Sequence, residues 1–273
     1  MQSFGGTFGI SVPLPIDIGC CFSPTAVASF FRKERKAVSY TVAKGKLVVK
    51  DATEKITVPC LPVDEMVTLD VLSSPTKTKF DTAYLKIASD VVDPASSSFA
   101  LQGIAFHDGM LEATDRRVLV SALSDLPDDL SFILPVASAK ALLKFKSPVV
   151  GVALDQRAVK FVFKDGASLT SLIINDQFIN TEPLFGRDYK SIELKADVAD
   201  LLKLECENVE FKEGDLHYDG VGVVFDVSAN VEAKFSKKYL DVLLSISSDI
   251  RVDSQKFFMA VSDKCRSIAC PRL

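Results

Sequence analysis

The sequence predicts an α+β chain of repeated units, each one helix followed by a few antiparallel strands, with the helices on one face of the sheets. Three observations predict it. Apolar residues switch between helical spacing and short runs of period two. The strand runs are consecutive and meet at tight turns such as Lys44-Gly45 and Asp165-Gly166, as antiparallel strands require. The helix-then-strands order recurs five times, from near Ser23, Lys79, Ser131, Ile192 and Glu232. Such recurrence marks a repeat architecture even where the units share little residue identity, and isolated helices among consecutive strands give α+β.

The N-terminal segment is rich in Gly and Pro and supplies one strand, Thr7–Val12, too little for a domain. From Ser23 the chain reads as a helix. Ser23 suits the N-cap and Pro24 the first turn, with Ala26, Val27, Phe30 and Phe31 inward. Strands follow at Val38–Val42, Lys46–Lys50 and Lys55–Leu61. Pro59 lacks an N–H for a full ladder, which suits the last of these to a sheet edge. Asp70–Thr76 reads as a linker, and Lys79–Val92 as a helix with Phe80, Tyr84, Ile87, Ala88 and Val91 at helical spacing.

Leu101–Val120 is the most strongly patterned stretch. Two apolar runs flank His107-Asp108-Gly109, a hairpin signal, and a third strand covers Arg117–Ala122. After a loop at Asp125–Asp129 come a strand at Leu130–Leu134, a helix at Ala137–Phe145, and strands near Val149–Leu154, Ala158–Lys164 and Ser168–Ile174. Thr181–Ser191 reads as a second linker. A short helix at Ala196–Leu204 precedes strands at Asn208–Lys212, Asp215–Tyr218 and Val221–Val227. The last unit is a strand at Glu232–Phe235, a helix at Lys237–Ser247, and strands at Ile250–Val252, Lys256–Val261 and Arg266–Cys270. Two linkers divide the chain into 1–72, 73–190 and 191–273, and a length of 273 residues accommodates two or three domains.

Composition narrows the function classes. The net charge of −4 announces no general nucleic-acid binder, although a ring around DNA need be basic only inside. The N-terminus lacks the basic and apolar regions of a secretory signal, and no run reaches the roughly 20 apolar residues of a membrane helix. Six cysteines show neither CxxC spacing nor a zinc-like pairing with the two histidines, so reduced, mostly buried thiols of a cytosolic protein are expected. Lys44-Gly45-Lys46 lacks the frame of a phosphate-binding loop. His107 and His217 stand beside turn residues with no triad arrangement, and Asp128-Asp129 reads as a solvated turn. No enzymatic constellation emerges.

The octet Glu112–Leu119, EATDRRVL, resembles the ATDGHRL signature of the bacterial DNA polymerase III beta-subunit sliding clamps, with Arg116 and Arg117 in place of Gly-His. FILPVASAKALLKF resembles the clamp segment in which a strand ending in Ile-Val-Pro enters a helix. KFSKKYLDVLLSI resembles FNPKYLLDVLKAL, and the terminal SIACPRL resembles an ending in MPMRL. These matches run in the family's order.

The resemblance implies a clamp-like fold with helices lining an inner face, no cofactor, and a DNA polymerase processivity factor that holds duplex DNA without reading its sequence. It implies a hydrophobic pocket for short peptides of a polymerase and a clamp loader, at Thr114, Arg117, Leu119, Pro135, Ser236, Tyr239, Pro271, Arg272 and Leu273. Leu119 and Tyr239 would serve a core equally well, and Arg272 a solvated end. It implies a DNA face of helix-borne cations: Arg32, Lys33, Arg35, Lys36, Lys79, Lys86, Lys140, Lys144, Lys195, Lys203, Lys237 and Lys238. A solvated helix face would look similar. Lys140 and Lys144, spaced i,i+4, fall on one face of their helix. The family has six units per subunit against five here, so the first unit is the missing one. Ile56-Thr57-Val58 matches the edge strand by which such subunits pair, and a cytoplasmic homodimer follows. A compact, divergent chain of this kind suits a phage. Two alternatives remain open: a clamp mimic that binds clamp partners but not DNA, and a β-rich structural assembly protein.

Overall fold

A computed structural model describes residues 2–4, 7–11, 20, 22, 27, 30, 37–62, 74–194, 197–221, 224–227 and 231–271. The chain opens with a hairpin, β1 (Gln2–Phe4) and β2 (Phe8–Ser11). Val27 and Phe30 are helical and buried, as the Ser23 helix requires; the rest of that helix lies outside the described residues. A three-stranded sheet follows: β3 (Ser39–Ala43), β4 (Lys46–Lys50) and β5 (Lys55–Pro59). Val27 and Phe30 join Leu47, Val49, Val58 and Cys60 in a small separate core. Among the described residues β5 pairs only with β4, which is the edge position that Pro59 predicts.

The next two units are complete. The first is β6 (Thr76–Phe80), α1 (Ala83–Val91), β7 (Gly103–His107), β8 (Met110–Thr114) and β9 (Val118–Leu123). The second is β10 (Phe132–Pro135), α2 (Val136–Leu142), β11 (Val149–Leu154), β12 (Ala158–Phe163) and β13 (Ser168–Leu172). A short helix α3 (Glu182–Phe185) precedes the third, β14 (Lys190–Ile192), α4 (Val198–Lys203), β15 (Asn208–Lys212), β16 (Asp215–Tyr218) and β17 (Val224–Asp226). The fourth is β18 (Ala233–Ser236), α5 (Lys237–Ile246), β19 (Ile250–Val252), β20 (Phe258–Val261) and β21 (Cys265–Ala269).

Each complete unit thus opens with a strand rather than a helix. Thr-Lys-Thr-Lys-Phe alternates in a strand's period, and Phe80 pairs with Val149. The helix expected from Lys79 starts only at Ala83, whose N–H is taken by the Asp81 carboxylate at 2.9 Å. The β7–β8 hairpin turns at Asp108 and Gly109, with φ of 49° and 69°. Two successive left-handed residues match the twist of the flanking strands.

The opening strands are exchanged within each pair of units. β6 belongs in sequence to the β7–β9 unit but is hydrogen-bonded to β11, and β10 is hydrogen-bonded to β7. Likewise β14 pairs with β19, and β18 with β15. Side chains from both partners then meet between the sheets. Phe106 of β7 stacks on Phe132 of β10 at 4.8 Å, and Phe132 meets Phe161 of β12 at 6.4 Å. The equivalent strands of the last pair repeat this with Phe211, Phe235 and Phe258 at 4.6–6.0 Å.

Third strands join the sheets end to end. β9 pairs with β21 from Val118↔Ala269 to Ala122↔Cys265, making an eight-stranded sheet. β13 pairs with β2, so the N-terminal hairpin extends the sheet of β6 and β11–β13 to six strands. The remaining third strands, β5 and β17, have no such neighbour among the described residues. No described helix is long and apolar enough to cross a membrane, and no described His, Cys, Asp or Glu cluster could hold a metal ion. The described cysteines are free thiols; Cys21 lies outside the described residues.

Phe161 touches both exchanged strands through its ring partners Phe80 and Phe132 and is fully buried. Phe161→Ala should cost about 3–5 kcal/mol of unfolding free energy in a denaturant titration, as expected for an aromatic cavity in a packed core.

Candidate functional site

The ATDRRVL segment is a tight corner. The Thr114 hydroxyl donates to the Val118 carbonyl at 2.7 Å and accepts the Arg116 N–H at 3.0 Å. The Asp115 carboxylate accepts the N–H groups of Arg117 and Val118, both at 2.9 Å. This folding forces Arg116 to φ 74°, a left-handed conformation in which glycine is far less strained.

The β9–β21 joint brings Ser267–Pro271 to this corner. Ser267 Oγ donates to the Leu119 carbonyl and the Cys270 N–H to the Arg117 carbonyl, each at 2.7 Å. Thr114, Arg117, Leu119 and Pro271 therefore gather there. Thr114 and Leu119 are buried, Pro271 is half-buried and Arg117 is exposed. Arg272 and Leu273 lie outside the described residues. Pro135 ends β10, with β7 and β8 between it and β9. Ser236 and Tyr239 stand at the start of α5, which packs on β20 and β21. The structure does not show these three at the corner.

The segment Thr181–Ser191, expected to be a linker, contributes groups to the same region. It holds α3 and the start of β14, and it is pinned. Arg187 Nη1 donates to Asp253 at 3.0 Å and Gln255 at 2.6 Å, and its guanidinium lies 4.2 Å over the Phe257 ring. Arg266 lies 3.8 Å over Phe185 and pairs with Glu182. Burial pushes the Tyr189 hydroxyl up to about 12, with Asp253 adding to the rise; it donates to the Leu184 carbonyl at 2.9 Å. Burial also raises the Cys270 thiol, against a lowering pull from Arg117 and Arg187. These charges converge on the last residues of β21. The sequence signal was two aromatics and an arginine, Phe185, Tyr189 and Arg187, within a short segment.

A buried carboxylate fixes that segment. Glu112 on β8 is 2% exposed and accepts the Thr181 hydroxyl at 2.8 and 2.9 Å. Its Oε2 lies 3.2 Å from His107 Nε2. An ionised carboxylate without such partners would be expensive to bury.

The cations divide. α1 packs on β7–β9 and α5 on β20 and β21 of the eight-stranded sheet, and together with α4 they line one groove. Lys86, Lys140, Lys203 and Lys238 are exposed, with Lys203 paired to Asp200 at 3.0 Å. Lys144 is exposed but follows the end of α2, so it does not share a helix face with Lys140 as its spacing predicts. Lys237 is 5% exposed, its ammonium bound to Asp241 and 5.9 Å from the centre of the Tyr218 ring. It is a buried, paired lysine and not an open cation. Burial raises the Asp241 carboxyl in spite of that bond. Asp90, Glu205 and Glu207 line the same groove. Arg32, Lys33, Arg35, Lys36 and Lys195, and the side chain of Lys79, lie outside the described residues.

No family model matches the chain, and no curated relative matches it. Solved structures do. The beta clamp of Helicobacter pylori bound to a DNA ligase peptide has a TM-score of 0.80 at 12% identity, over 100% of this chain and 88% of that one. The DNA polymerase sliding clamp of Pseudomonas aeruginosa with ligand gives 0.77 at 16%, over 100% and 88%. The sliding clamp of Bacillus subtilis gives 0.77 at 16%, over 100% and 87%. At these identities the likeness shows the fold, and the fold is that of the sliding clamps.

Two measurements check the site's construction. Thr181→Val strips the buried Glu112 of a donor and should lower stability by about 1–3 kcal/mol in a denaturant titration. Burial holds the Cys265 thiol at about 12 and raises that of Cys270. The reactive form is the thiolate, so at pH 8 both should react slowly with a disulfide reagent until the chain is unfolded.

Proposed function

We propose that the chain is a non-enzymatic, sliding-clamp-like processivity factor that embraces duplex DNA and tethers replication proteins through a peptide pocket. The observation that carries this reading is the correspondence to clamp structures over 100% of this chain, together with α1, α4 and α5 lining one groove. Residues 1–72, 73–190 and 191–273 form its half, central and C-terminal clamp domains. Lys86, Lys140, Lys144 and Lys238 contact phosphates, which gives binding that is independent of sequence and sensitive to salt. The pocket is the corner of Thr114, Arg117, Leu119 and Pro271, completed by Arg272 and Leu273. The peptide on the Helicobacter clamp supports that use. Tethering turns polymerase rebinding into an intramolecular event at high effective concentration. A role on replicating DNA places the protein in the cytoplasm of a bacterial cell.

Two copies assemble through the third strands left open. Within the chain, third strand β9 already pairs with third strand β21, so β5 of one copy would meet β17 of the other in the same manner. Val224 on β17 is 49% exposed and Val221, just before it, 37%; pairing would cover both. Val58 belongs to the core of its own sheet, so β5 contributes mainly its backbone edge. Two such copies carry ten units where the family's dimer has twelve.

A second reading, the clamp mimic, draws on one observation. The helix groove sets Asp90, Glu205, Glu207 and Asp241 against Lys86, Lys237 and Lys238, a poor match for phosphate. Duplex binding separates the two. Lys140→Glu with Lys144→Glu should weaken binding and flatten its log–log salt dependence by about two contacts. A wild-type chain with no duplex affinity at low salt supports the mimic and sinks the clamp.

Light scattering tests the assembly. The Cys60 N–H bonds the Gly45 carbonyl across the β4–β5 ladder. By two-residue alternation the Thr57 N–H therefore points to the open edge. Thr57→Pro removes that donor at an edge that tolerates proline and should convert dimers to monomers. A wild-type monomer rejects this arrangement without touching the fold.

A further inference from the structure

We propose that the corner between β8 and β9 selects acidic peptides, through Arg116, Arg117 and the ring of Phe99. The inference rests on the peptide-pocket reading and adds the chemistry of its ligand. Arg116 and Arg117 are exposed, and among the described residues no carboxylate is ion-paired with either. Carboxylates placed around this corner are engaged with backbone or with other cations, among them Asp176, which accepts the N–H groups of Ala100, beside Phe99, and of Gln177. Asp115 caps the backbone N–H groups of the turn itself. Asp253 accepts Arg187 and the N–H groups of Gln255 and Phe257. Among the described residues neither guanidinium group has an ion-pair partner, in a chain whose net charge is −4.

Arg116 also occupies a backbone position that favours glycine, at φ 74°. Its guanidinium Nη2 reaches Ser97 Oγ at 3.4 Å, which holds the side chain toward the loop that carries Phe99. Phe99 is 68% exposed, more than any other large apolar residue described. An exposed aromatic two residues along the chain from Arg116's partner Ser97, together with exposed arginines, is a composition that protein interfaces favour at their centres. It suits an apolar anchor flanked by carboxylates, which guanidinium forks bind in bidentate fashion. The phosphodiester backbone of duplex DNA, whose bases are paired and stacked within it, would use the arginines and leave the ring bare, so the occupant assigned here is a peptide segment.

The test is a fluorescence-anisotropy titration of the full chain with two labelled ten-residue peptides. One carries a central Leu-Phe pair flanked by three Asp, the other three Asn in their place. Wild type should bind the Asp peptide at least tenfold more tightly, with the preference shrinking as salt rises from 50 to 500 mM. Arg116→Gly with Arg117→Ala should bring the ratio to near one, and Arg116→Lys with Arg117→Lys should restore part of it. Arg116→Gly relieves the left-handed residue, so misfolding does not explain a loss there, and Arg117→Ala alone should halve the ratio or more. Equal binding of both peptides by wild type overturns the proposal and leaves the pocket standing. Binding of neither overturns the pocket reading and the proposal with it. A fall in duplex DNA affinity in the double variant, as large as that of the Lys140 and Lys144 reversals, reassigns the arginines to phosphate and overturns it too.

Discussion

Everything in this structure depends on the exchange of opening strands between paired units. β6 leaves its own unit to pair with β11, and β10 returns the exchange by pairing with β7. Neither unit can satisfy its backbone alone, because an unpaired buried strand edge leaves N–H and C=O groups without partners. The aromatic clusters follow from that exchange. Phe80 and Phe132 sit on the exchanged strands, Phe106 on β7 and Phe161 on β12, so the core forms only when both units are present. The repetition by Phe211, Phe235 and Phe258 on the equivalent strands shows one packing solution used twice.

With opening strands committed inside each pair, third strands are what remains to connect pairs. The β9–β21 ladder makes a single eight-stranded sheet of the central and C-terminal regions, with α1 on β7–β9 and α5 on β20 and β21 lining one groove. The same ladder brings Ser267–Pro271 to the Thr114–Leu119 corner, about 150 residues away in sequence, as the Ser267–Leu119 bond records. Fold continuity and the candidate pocket are thus one feature. The N-terminal hairpin pairs with β13, and so a short segment covers that edge of the sheet.

Charges are buried where they organise this joint. Glu112 has Thr181 and His107 as partners, and Thr181 begins the segment that carries Arg187 and Tyr189. Losing either partner of a buried charge costs more than the contact itself contributes, which fixes the position of that segment. Lys237 and Asp241 use the same device on α5, one turn apart. A lysine held there is unavailable to a ligand, and the helix face is less basic than its sequence suggests.

The sequence by itself determined the α+β class, the unit count, most strand positions and the hairpin at Asp108-Gly109. These are local: alternation, turn residues and capping groups act within a few positions. Ser39–Ala43, Lys46–Lys50, Asn208–Lys212 and Asp215–Tyr218 lie within a residue of the runs expected. It also marked Thr114, Arg117, Leu119 and Pro271 as companions, through the resemblance of two short motifs to one family. Only the tertiary structure decided that each unit opens with a strand, since β6 is a strand by virtue of its partner β11, far along the chain. It alone turned Thr181–Ser191 from a linker into part of the corner, because Arg187 and Tyr189 acquire their roles from Asp253 and the end of β21. And it alone separated Lys237 from the exposed lysines: helical spacing records which residues share a face, and burial depends on what packs against it.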